Sequence, residues 1–404
     1  MLEKENLRQQ ATLNLIASEN YVSRSVLEAT ASALTNKYSE GYPQQRYYQG
    51  NENVDAVEII AIERARQLFG AEHVNVQPYS GSPANAAVFM AFLDPGDTFM
   101  GFDLACGGHL THGHPVNFSG RIYRAVNYSV DQETERLDLD EIRRMALQHS
   151  PKMIISGLTA YPREIEFEAF QKIAEAVGAI HFADISHISG LIVGGCHPSP
   201  LPACDVAMTT THKTLRGPRG AIIMCKKKYG SQIDRAVFPG NQGGPHDHIT
   251  AAKAVAFKEA LLPDFKRYAE TVVANAKALA GELTGRGIKL VTGGTDNHML
   301  LISLLPFGIG LGRSTADALE NAGIVTNANT VPFDPSTPFK PSGIRIGTPA
   351  VTTRGMKESQ MATIATWMAS IIEDPTNREL QRSIKKEVEQ LTRDFPIQPG
   401  LVLK

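Results

Sequence analysis

Short apolar runs alternate along this chain with longer segments whose apolar residues recur at helical spacing. The apolar runs predict strands at 73–76, 98–102, 121–126, 153–156, 179–183, 206–208 and 221–224. The helical spacing predicts helices at 54–68, 84–92, 139–148 and 166–177, the first ended by Gly70. Strands that alternate with helices in this way favour a mostly parallel sheet covered by helices.

The pattern changes after this alternating part of the chain. Residues 249–283 are mainly helical, and a smaller α/β unit follows, with strands at 289–291, 300–304 and 344–347 and a helix at 357–371. Residues 1 to about 30 have a helical composition and precede the alternating part. We therefore predict an N-terminal arm (1–30), a large α/β domain (31–262) and a smaller C-terminal α/β domain (263–404).

Composition and charge narrow the class of protein. The chain has 404 residues, 42% hydrophobic and 20% charged, and a formal net charge of −2. These values are ordinary for a globular protein, and the lack of a basic excess argues against a nucleic-acid partner. The four cysteines have no C-x-x-C spacing, which fits a reducing compartment. No signal core and no run of about 20 apolar residues is present, so we expect a cytoplasmic protein without a membrane partner.

A lysine at the end of a predicted strand is the first candidate for chemistry. Val206–Met208 is followed by three threonines, His212 and Lys213, and Gly217 and Gly220 then break regular structure. A lysine amine that is desolvated in a cleft has a lowered pKa and becomes nucleophilic near neutral pH. The alternative is a surface lysine in a polar turn. The flanking residues favour a lysine that forms a Schiff base.

Two further segments point to a phosphorylated aldehyde cofactor for this lysine. Ser80-Gly81-Ser82 precedes a helix, where free backbone N–H groups and the positive helix end bind phosphate, although such a turn is more often only a helix cap. Asp184 ends the strand before the one that leads to Lys213. Pyridoxal phosphate needs an acid beside its ring nitrogen. Neighbouring parallel strands would place Asp184 and Lys213 at one crevice.

A histidine-rich segment and a buried arginine complete the candidates. His109, His112 and His114 would suit either a metal ion, as in a metal hydrolase, or a cofactor ring on which His109 stacks. The other segments favour stacking by His109 and no metal. Arg345 lies in an apolar strand, where it would bind a substrate carboxylate or form an internal ion pair.

These segments resemble the serine hydroxymethyltransferase (glycine hydroxymethyltransferase) family from about residue 15 to about residue 371. The motifs that carry the resemblance are L-I-A-S-E-N-Y (15–21), N-K-Y-S-E-G-Y-P (36–43), R-Y-Y-Q-G (46–50), N-V-Q-P-Y-S-G-S-P-A-N (75–85), G-G-H-L-T-H-G (107–113), T-T-T-H-K-T-L-R-G-P-R-G (209–220), P-G-N-Q-G-G-P (239–245) and G-G-T-D-N-H (293–298). The resemblance implies a fold-type-I pyridoxal-phosphate transferase, with a mostly parallel seven-stranded sheet in its large domain.

The resemblance also implies roles for individual residues. Residues expected to bind the cofactor are Lys213 (as an aldimine), Asp184, His109, Ser82, Gly81, His187, Thr159 and His212, with Tyr38 and Gly244 from a partner subunit. Residues expected to bind the amino acid are Ser18, His187 and Arg345, with Tyr48 and Glu40 from the neighbouring subunit. Residues expected in catalysis are Lys213, Glu40, His109, Asp184, His187 and Tyr48. Residues expected to bind folate are Leu104, Gly108, His109, Leu110, Asn329, Thr337, Pro338 and Phe339.

The activity implied is reversible transfer of the serine hydroxymethyl carbon to tetrahydrofolate, giving glycine and 5,10-methylenetetrahydrofolate. This is a reaction of one-carbon metabolism and amino-acid biosynthesis, with pyridoxal 5'-phosphate as cofactor and tetrahydrofolate as co-substrate. Sites shared between subunits imply a homodimer, or a tetramer built from dimers. The alternatives are a threonine aldolase-like activity and a preference for α-methylserine. The chain departs from the family at Ser186, Cys106 and Ala328, and its N-terminal arm is short.

Overall fold

Helices and strands alternate through the part of the chain described by the computed structural model, residues 1–397. The strands are β1 (Leu13–Asn14), β2 (Gly41–Tyr42), β3 (Gln45–Arg46), β4 (His73–Asn75), β5 (Thr98–Phe102), β6 (Arg124–Tyr128), β7 (Met153–Gly157), β8 (Ile180–Asp184), β9 (Val206–Thr210), β10 (Ala221–Cys225), β11 (Met299–Ser303), β12 (Ile324–Val325), β13 (Asn327–Asn329) and β14 (Gly343–Gly347).

The helices follow the same order along the chain. They are α1 (Leu2–Ala11), α2 (Arg24–Thr30), α3 (Glu52–Phe69), α4 (Gly81–Phe92), α5 (Phe118–Ile122), α6 (Leu139–His149), α7 (Phe167–Val177), α8 (Ser189–Val193), α9 (Gly230–Arg235), α10 (Asp247–Ala260), α11 (Pro263–Gly285), α12 (Gly312–Asn321), α13 (Pro349–Thr353), α14 (Glu358–Glu373) and α15 (Arg378–Asp394).

A seven-stranded sheet forms the centre of the fold, in the order β4-β10-β9-β8-β7-β5-β6. The pairs from β9 to β6 are parallel, and β10 runs antiparallel to both β9 and β4. The mostly parallel seven-stranded α/β sheet expected from the sequence is therefore confirmed. Since every residue of β7, β9 and β10 is buried, both faces of the sheet must be covered.

Consecutive side chains of the strands enter two different cores. Ile155 and Met208 pack with α4 residues such as Phe89 on one face, whereas their neighbours Ile154 and Ala207 belong to the core on the other face. This separation follows from the two-residue period of a strand. Because β7, β8 and β9 are parallel, their carboxyl ends lie at one edge, where the chain leaves the sheet for loops.

A second core surrounds a three-stranded antiparallel sheet in the order β11-β14-β13. Helices α11, α12, α14 and α15 contribute to this core, and so do Leu13 and Leu15 of the predicted arm. Strand β1 pairs in parallel with β12, and Arg354 donates hydrogen bonds to backbone carbonyls of both Thr12 and Thr392. The N-terminal segment is thus anchored on the C-terminal unit. The boundaries at residues 30 and 262 stay predictions, and residues 398–404 of the predicted small domain lie outside the described residues.

One local prediction was wrong at an element end. Arg121, expected in a strand, lies in α5, whose N-cap residue Asn117 accepts a hydrogen bond from the Ser119 N–H. The mainly helical stretch expected at 249–283 is confirmed, and it consists of α10 and α11 because Pro263 starts the second helix.

Two further elements differ from the sequence-based expectation. The strand expected at 289–291 is reduced to one bridge between Leu290 and Ile302, since Thr292 and Gly293 have positive φ. Helix α15 was not expected at all, because its surface is mainly polar and only a few of its side chains are buried. Within residues 1–397, no helix is long and apolar enough to cross a membrane.

Candidate active site

Two neighbouring strands bring an acid and a lysine to the same edge of the central sheet. Strand β8 ends at Asp184, which lies opposite Met208 of the parallel strand β9. After β9 the chain turns through Thr211 and His212 to Lys213. Asp184 and Lys213 both line a cavity of about 330 Å³, as expected for the carboxyl ends of neighbouring parallel strands.

The N-terminus of α4 opens onto this first cavity. Ser80 is the N-cap residue, but its side chain makes no capping hydrogen bond, and the first turn of α4 contains no acidic residue. Ser80, Gly81 and Ser82 all line the cavity. Uncapped N–H groups, two hydroxyls and the positive end of the helix dipole are features that can bind a phosphate group.

The Asp184 carboxylate is buried and fully hydrogen-bonded. Its Oδ2 lies 3.2 Å from the His112 Nε2 and accepts a hydrogen bond from the Asn85 amide at 3.0 Å, and its Oδ1 accepts one from the Ser186 N–H. Burial by itself raises the pKa of Asp184, but the His112 hydrogen bond and the nearby imidazoles outweigh burial. Its pKa lies well below the ordinary value. Asp184 is therefore a stable anion that can hold a protonated ring nitrogen.

Lys213 has a perturbed amine. Burial is the main cause that lowers its pKa to about 8, Arg345 and Arg219 lower the pKa further, and the charge of Asp184 acts in the opposite direction. Among residues 1–397, no acidic side chain forms an ion pair with Lys213. A sizeable fraction of this amine is neutral near physiological pH, which is the form that attacks an aldehyde.

Arg345 enters the cavity from β14 of the second unit. Its Nη1 donates a hydrogen bond to the Thr159 carbonyl at 2.7 Å, and its Nε donates one to the Asn327 Oδ1 at 3.1 Å. The side chain is only 8% exposed, and burial lowers its pKa to about 10. In the part of the chain that the structure describes, no carboxylate pairs with it. The internal ion pair considered from the sequence is not found, so the charge is free for an anionic ligand.

The remaining residues expected around the cofactor and amino acid from the same subunit also reach this cavity. They are Ser18, His109, Thr159, His187 and His212. Burial is the main cause that lowers the pKa of His109 to about 4 and of His212 to about 3, so both imidazoles are neutral. The buried Nδ1 of His212 has no hydrogen-bond partner within residues 1–397. An orphaned polar atom in the cavity wall is consistent with a site built for a ligand.

A second cavity of about 400 Å³ adjoins the first, and Thr159 lines both. Of the residues expected to bind folate, Leu104, Gly108, Asn329 and Pro338 line this second cavity. The other expected residues do not: His109 lines the first cavity, and Leu110 and Phe339 are 44% and 93% exposed. Thr337 lies in the same exposed segment as Phe339. His114 and Ala328 line the second cavity as well.

The residues expected to act across a subunit boundary form a separate cluster. The Tyr38 hydroxyl donates to Glu40 Oε1 at 3.2 Å, the Tyr38 and Tyr48 rings meet edge to face at 5.1 Å, and Gly244 packs beside them. None of these four lines the first cavity. Tyr38 and Tyr48 are 57% and 48% exposed, so they are available to another subunit.

The three histidines considered as metal ligands do not converge. His112 is buried against Asp184, the His109 ring lies 5.7 Å from the His112 ring, and His114 belongs to the second cavity. Throughout residues 1–397, no group of three or more His, Cys, Asp or Glu side chains is arranged to hold a metal ion. The metal-hydrolase alternative is therefore not supported.

Sequence reasoning missed several residues of the site. They are Asn85, Arg219 and His298, together with His112 in its actual position beside Asp184. His298 Nε2 lies 3.3 Å from the Nδ1 of His187. The quoted motifs contain all four positions, but a motif does not indicate which of its polar side chains turn inward.

Comparison with known proteins identifies relatives over nearly the full length of the chain. A profile of the serine hydroxymethyltransferase family matches residues 1–368. Curated serine hydroxymethyltransferases from Sorangium cellulosum and Acidobacterium capsulatum are 55% and 54% identical to this chain. These matches cover 100% and 98% of this chain, and 95% and 92% of the two relatives. A third such enzyme, from Acidothermus cellulolyticus, is 54% identical over 99% of the chain and 95% of its own length.

Proposed function

The chain belongs to the serine hydroxymethyltransferase family and is a transferase that interconverts serine and glycine with tetrahydrofolate; we propose that the cavity around Lys213 is its active site. One juxtaposition supports this assignment most strongly. Arg345 is a buried cation without an acidic partner in the described residues, and it lines the same cavity as a lysine with a lowered pKa. A carboxylate for the arginine and an amine exchanged at the lysine are the features of an α-amino acid.

The residues present in the cavity fit pyridoxal 5'-phosphate. The uncapped N-terminus of α4 suits the phosphate group, the Lys213 amine suits the aldehyde, and the anionic Asp184 suits the ring nitrogen. When bound, this cofactor supplies an electron sink for the electron pair of the bond that breaks at the α-carbon. His109, which lines the cavity as a neutral imidazole, would stack on the ring.

The other side chains of the cavity bind and orient the amino acid. Arg345 and Ser18 would hold the serine carboxylate and so select which bond of the α-carbon is aligned for cleavage. His187 and Thr159 would contact the phenolic oxygen of the cofactor, and His212 would contact the cofactor from its own position in the wall. Lys213 would hold the cofactor covalently and leave when the serine amine takes its place.

Tetrahydrofolate would occupy the second cavity, because Thr159 lies in the wall of both cavities and the carbon has only a short distance to travel. Leu104, Gly108, Asn329 and Pro338 would contact it there. Thr337, Phe339 and Leu110 are exposed, and Thr337 and Phe339 flank the wall residue Pro338. We propose that these three residues close over the bound folate.

We also propose a homodimer, with Glu40, Tyr48, Tyr38 and Gly244 entering the partner's cavity. Support comes from their clustering outside the cavity of their own chain and from the exposure of both tyrosines. Glu40 would move a proton to or from the hydroxymethyl oxygen, and Tyr48 would orient that group. A cytoplasmic location fits the four cysteines, all of them unpaired.

Purified protein supplied with pyridoxal phosphate and L-serine tests the proposal. We expect a visible absorption band that Lys213→Ala abolishes, and glycine formation that requires tetrahydrofolate. Glycine and formaldehyde formed from serine regardless of folate would instead favour the threonine aldolase-like activity. A higher kcat/KM for α-methylserine than for serine would favour that substrate. A colourless protein that cannot be reconstituted would overturn the proposal.

A further inference from the structure

A chain of buried hydrogen bonds connects Asp184 with His109. The Asn85 Nδ2 donates both of its hydrogens, one to Asp184 Oδ2 at 3.0 Å and one to the Thr111 hydroxyl at 2.7 Å. The Thr111 hydroxyl lies 2.7 Å from the His109 Nδ1. Asn85 and Thr111 are 1% and 0% exposed, so no solvent competes for these bonds.

The direction of each bond in this chain can be assigned. Because Asp184 is an anion, Asn85 must turn its amide NH₂ and not its carbonyl toward it. The other amide hydrogen then occupies a lone pair of the Thr111 oxygen, and the single hydroxyl hydrogen is left to point at His109. The Thr111 backbone N–H also donates to the same His109 Nδ1, at 3.2 Å.

Two donors on one ring nitrogen decide the tautomer of His109. Its Nδ1 must be an acceptor, so the ring hydrogen lies on Nε2. The lowered pKa of His109 is consistent with this neutral ring. Among residues 1–397, no hydrogen-bond partner is found for Nε2, and His109 lines the cavity. The ring therefore presents an N–H donor that is available to a ligand.

A second connection between the same two residues runs through His112. The His109 backbone N–H donates to the His112 Nδ1 at 3.3 Å, so His112 carries its hydrogen on Nε2, which faces Asp184 Oδ2 at 3.2 Å. Asn85 and His112 thus both donate a hydrogen bond to Asp184 Oδ2. This common orientation is consistent with an ionised Asp184.

We propose that Thr111 is a positioning residue that fixes His109 as its Nε2–H tautomer and links it, through Asn85, to the charge of Asp184. The tautomer assignment stands on the hydrogen bonds alone, whereas its consequence for turnover rests on the proposed function. When Thr111 loses its hydroxyl, Asn85 loses an acceptor and His109 loses one of its two anchors. The ring then populates the other tautomer, whose Nε2 has no hydrogen to donate.

The test is the ¹⁵N spectrum of histidine-labelled protein, with His109 assigned through His109→Asn, in the cofactor-free and cofactor-loaded protein. In the unaltered chain we expect a bare Nδ1, a protonated Nε2 and a slowly exchanging Thr111 hydroxyl hydrogen coupled to Nδ1. Thr111→Val, which keeps the shape, should shift part of the population to the Nδ1–H form. The matched variant Thr111→Ser, which keeps the hydroxyl, should match the unaltered spectrum.

Kinetics on the same variants separate positioning from general damage. Thr111→Val should lower kcat about tenfold, the effect of one buried hydrogen bond, with the serine KM within about twofold. A hydrogen on Nδ1 in the unaltered protein, or no detectable Thr111 hydroxyl coupling, would overturn the proposal even if Thr111→Val does not fold. An unchanged Thr111→Val spectrum would overturn it too. The expected spectrum in a protein without serine activity would count against the proposed function only.

Discussion

The Nδ1 of His187 and the Nε2 of His298 lie 3.3 Å apart in the interior of the protein, with their rings 21° from parallel. His187 follows β8 of the seven-stranded sheet, and His298 precedes β11 of the three-stranded sheet. The pair therefore joins the two units whose edges form the cavity wall. Both residues are at most 1% exposed, so removal of one imidazole leaves the other without a hydrogen-bond partner and away from solvent.

The first prediction concerns the pH dependence of stability. Burial is the main cause that lowers the pKa of His298 from 6.5 to about 3 and that of His187 well below 6.5. At a pH between the lowered pKa of the folded protein and the ordinary pKa of 6.5, each of these imidazoles binds a proton only in the unfolded state. The free energy of unfolding must therefore fall as pH drops below about 6.5. Urea unfolding of His298→Gln should show a shallower fall, by roughly 1 kcal/mol per pH unit. An unchanged slope would contradict the buried neutral pair.

The second prediction concerns the guanidinium of Arg345. Arg345→Lys should raise the KM for L-serine on the order of 100-fold, because lysine keeps the charge but loses the two-pronged contact with a carboxylate. Arg354→Lys is the matched control, since Arg354 is equally buried but donates to backbone carbonyls of α1 and α15. It should lower thermal stability and leave the serine KM unchanged. Equal effects of both variants on KM would argue against carboxylate binding by Arg345.

The third prediction tests whether the active site is shared between subunits. Glu40→Gln and Lys213→Ala should each be nearly inactive alone. Refolded together, half of the dimers are mixed, and each mixed dimer has one cavity with an intact Lys213 and a partner's intact Glu40. Activity should return to about a quarter of the unaltered level. If Glu40 acted in its own chain, the mixture would stay inactive.

The fourth prediction concerns a buried lysine outside the cavity. The Lys253 Nζ donates to the carbonyl oxygens of Val76, Ala221 and Pro78 at 2.6, 2.9 and 3.1 Å. Burial lowers its pKa to about 7, yet three acceptors require three hydrogens, which only the ammonium form has. Lys253→Met should lower the free energy of unfolding by about 2–4 kcal/mol, because it leaves buried carbonyls unpaired.

Lys152→Met is the control for that measurement. Lys152 pairs with Asp97, but its side chain is 57% exposed, so its loss should leave the free energy of unfolding nearly unchanged in chemical denaturation. Similar losses for the two variants would show that the carbonyl cage around Lys253 contributes nothing special.

The fifth prediction concerns the second cavity. Ala328, one of the positions at which the chain is expected to depart from the family, is part of the wall of this cavity, and Asp103 is an acid in the same wall. Ala328→Lys should lower the KM for tetrahydrofolate several-fold, because it adds a cation for the glutamate carboxylate of folate. The gain should be larger for polyglutamylated folate and should shrink at high salt. An unchanged folate KM would place the glutamate elsewhere, and the serine KM serves as the internal control.

The sequence by itself determined the order of elements and most of the chemistry. Apolar runs of strand length between helices predict a mostly parallel sheet covered by helices, because burial on both faces removes polar positions from central strands. Asp184 and Lys213 were predictable as one site, since carboxyl ends of neighbouring parallel strands meet at one edge. Element ends were less predictable, as at Arg121 and Pro263, because caps and breaks depend on one or two residues.

Only the tertiary structure decided which polar side chains act together. Asp184 meets His112 and Asn85, which are 72 and 99 positions away, and a local pattern carries no information about such contacts. From the sequence, Arg345 could equally form an internal ion pair or bind a ligand. No acidic side chain pairs with it within residues 1–397, which removes the internal ion pair. The sequence also did not show that Tyr38 and Glu40 lie outside the Lys213 cavity of their own chain, because that position depends on tertiary packing. Sequence periods fix which face a residue occupies, whereas packing between distant segments fixes its neighbours.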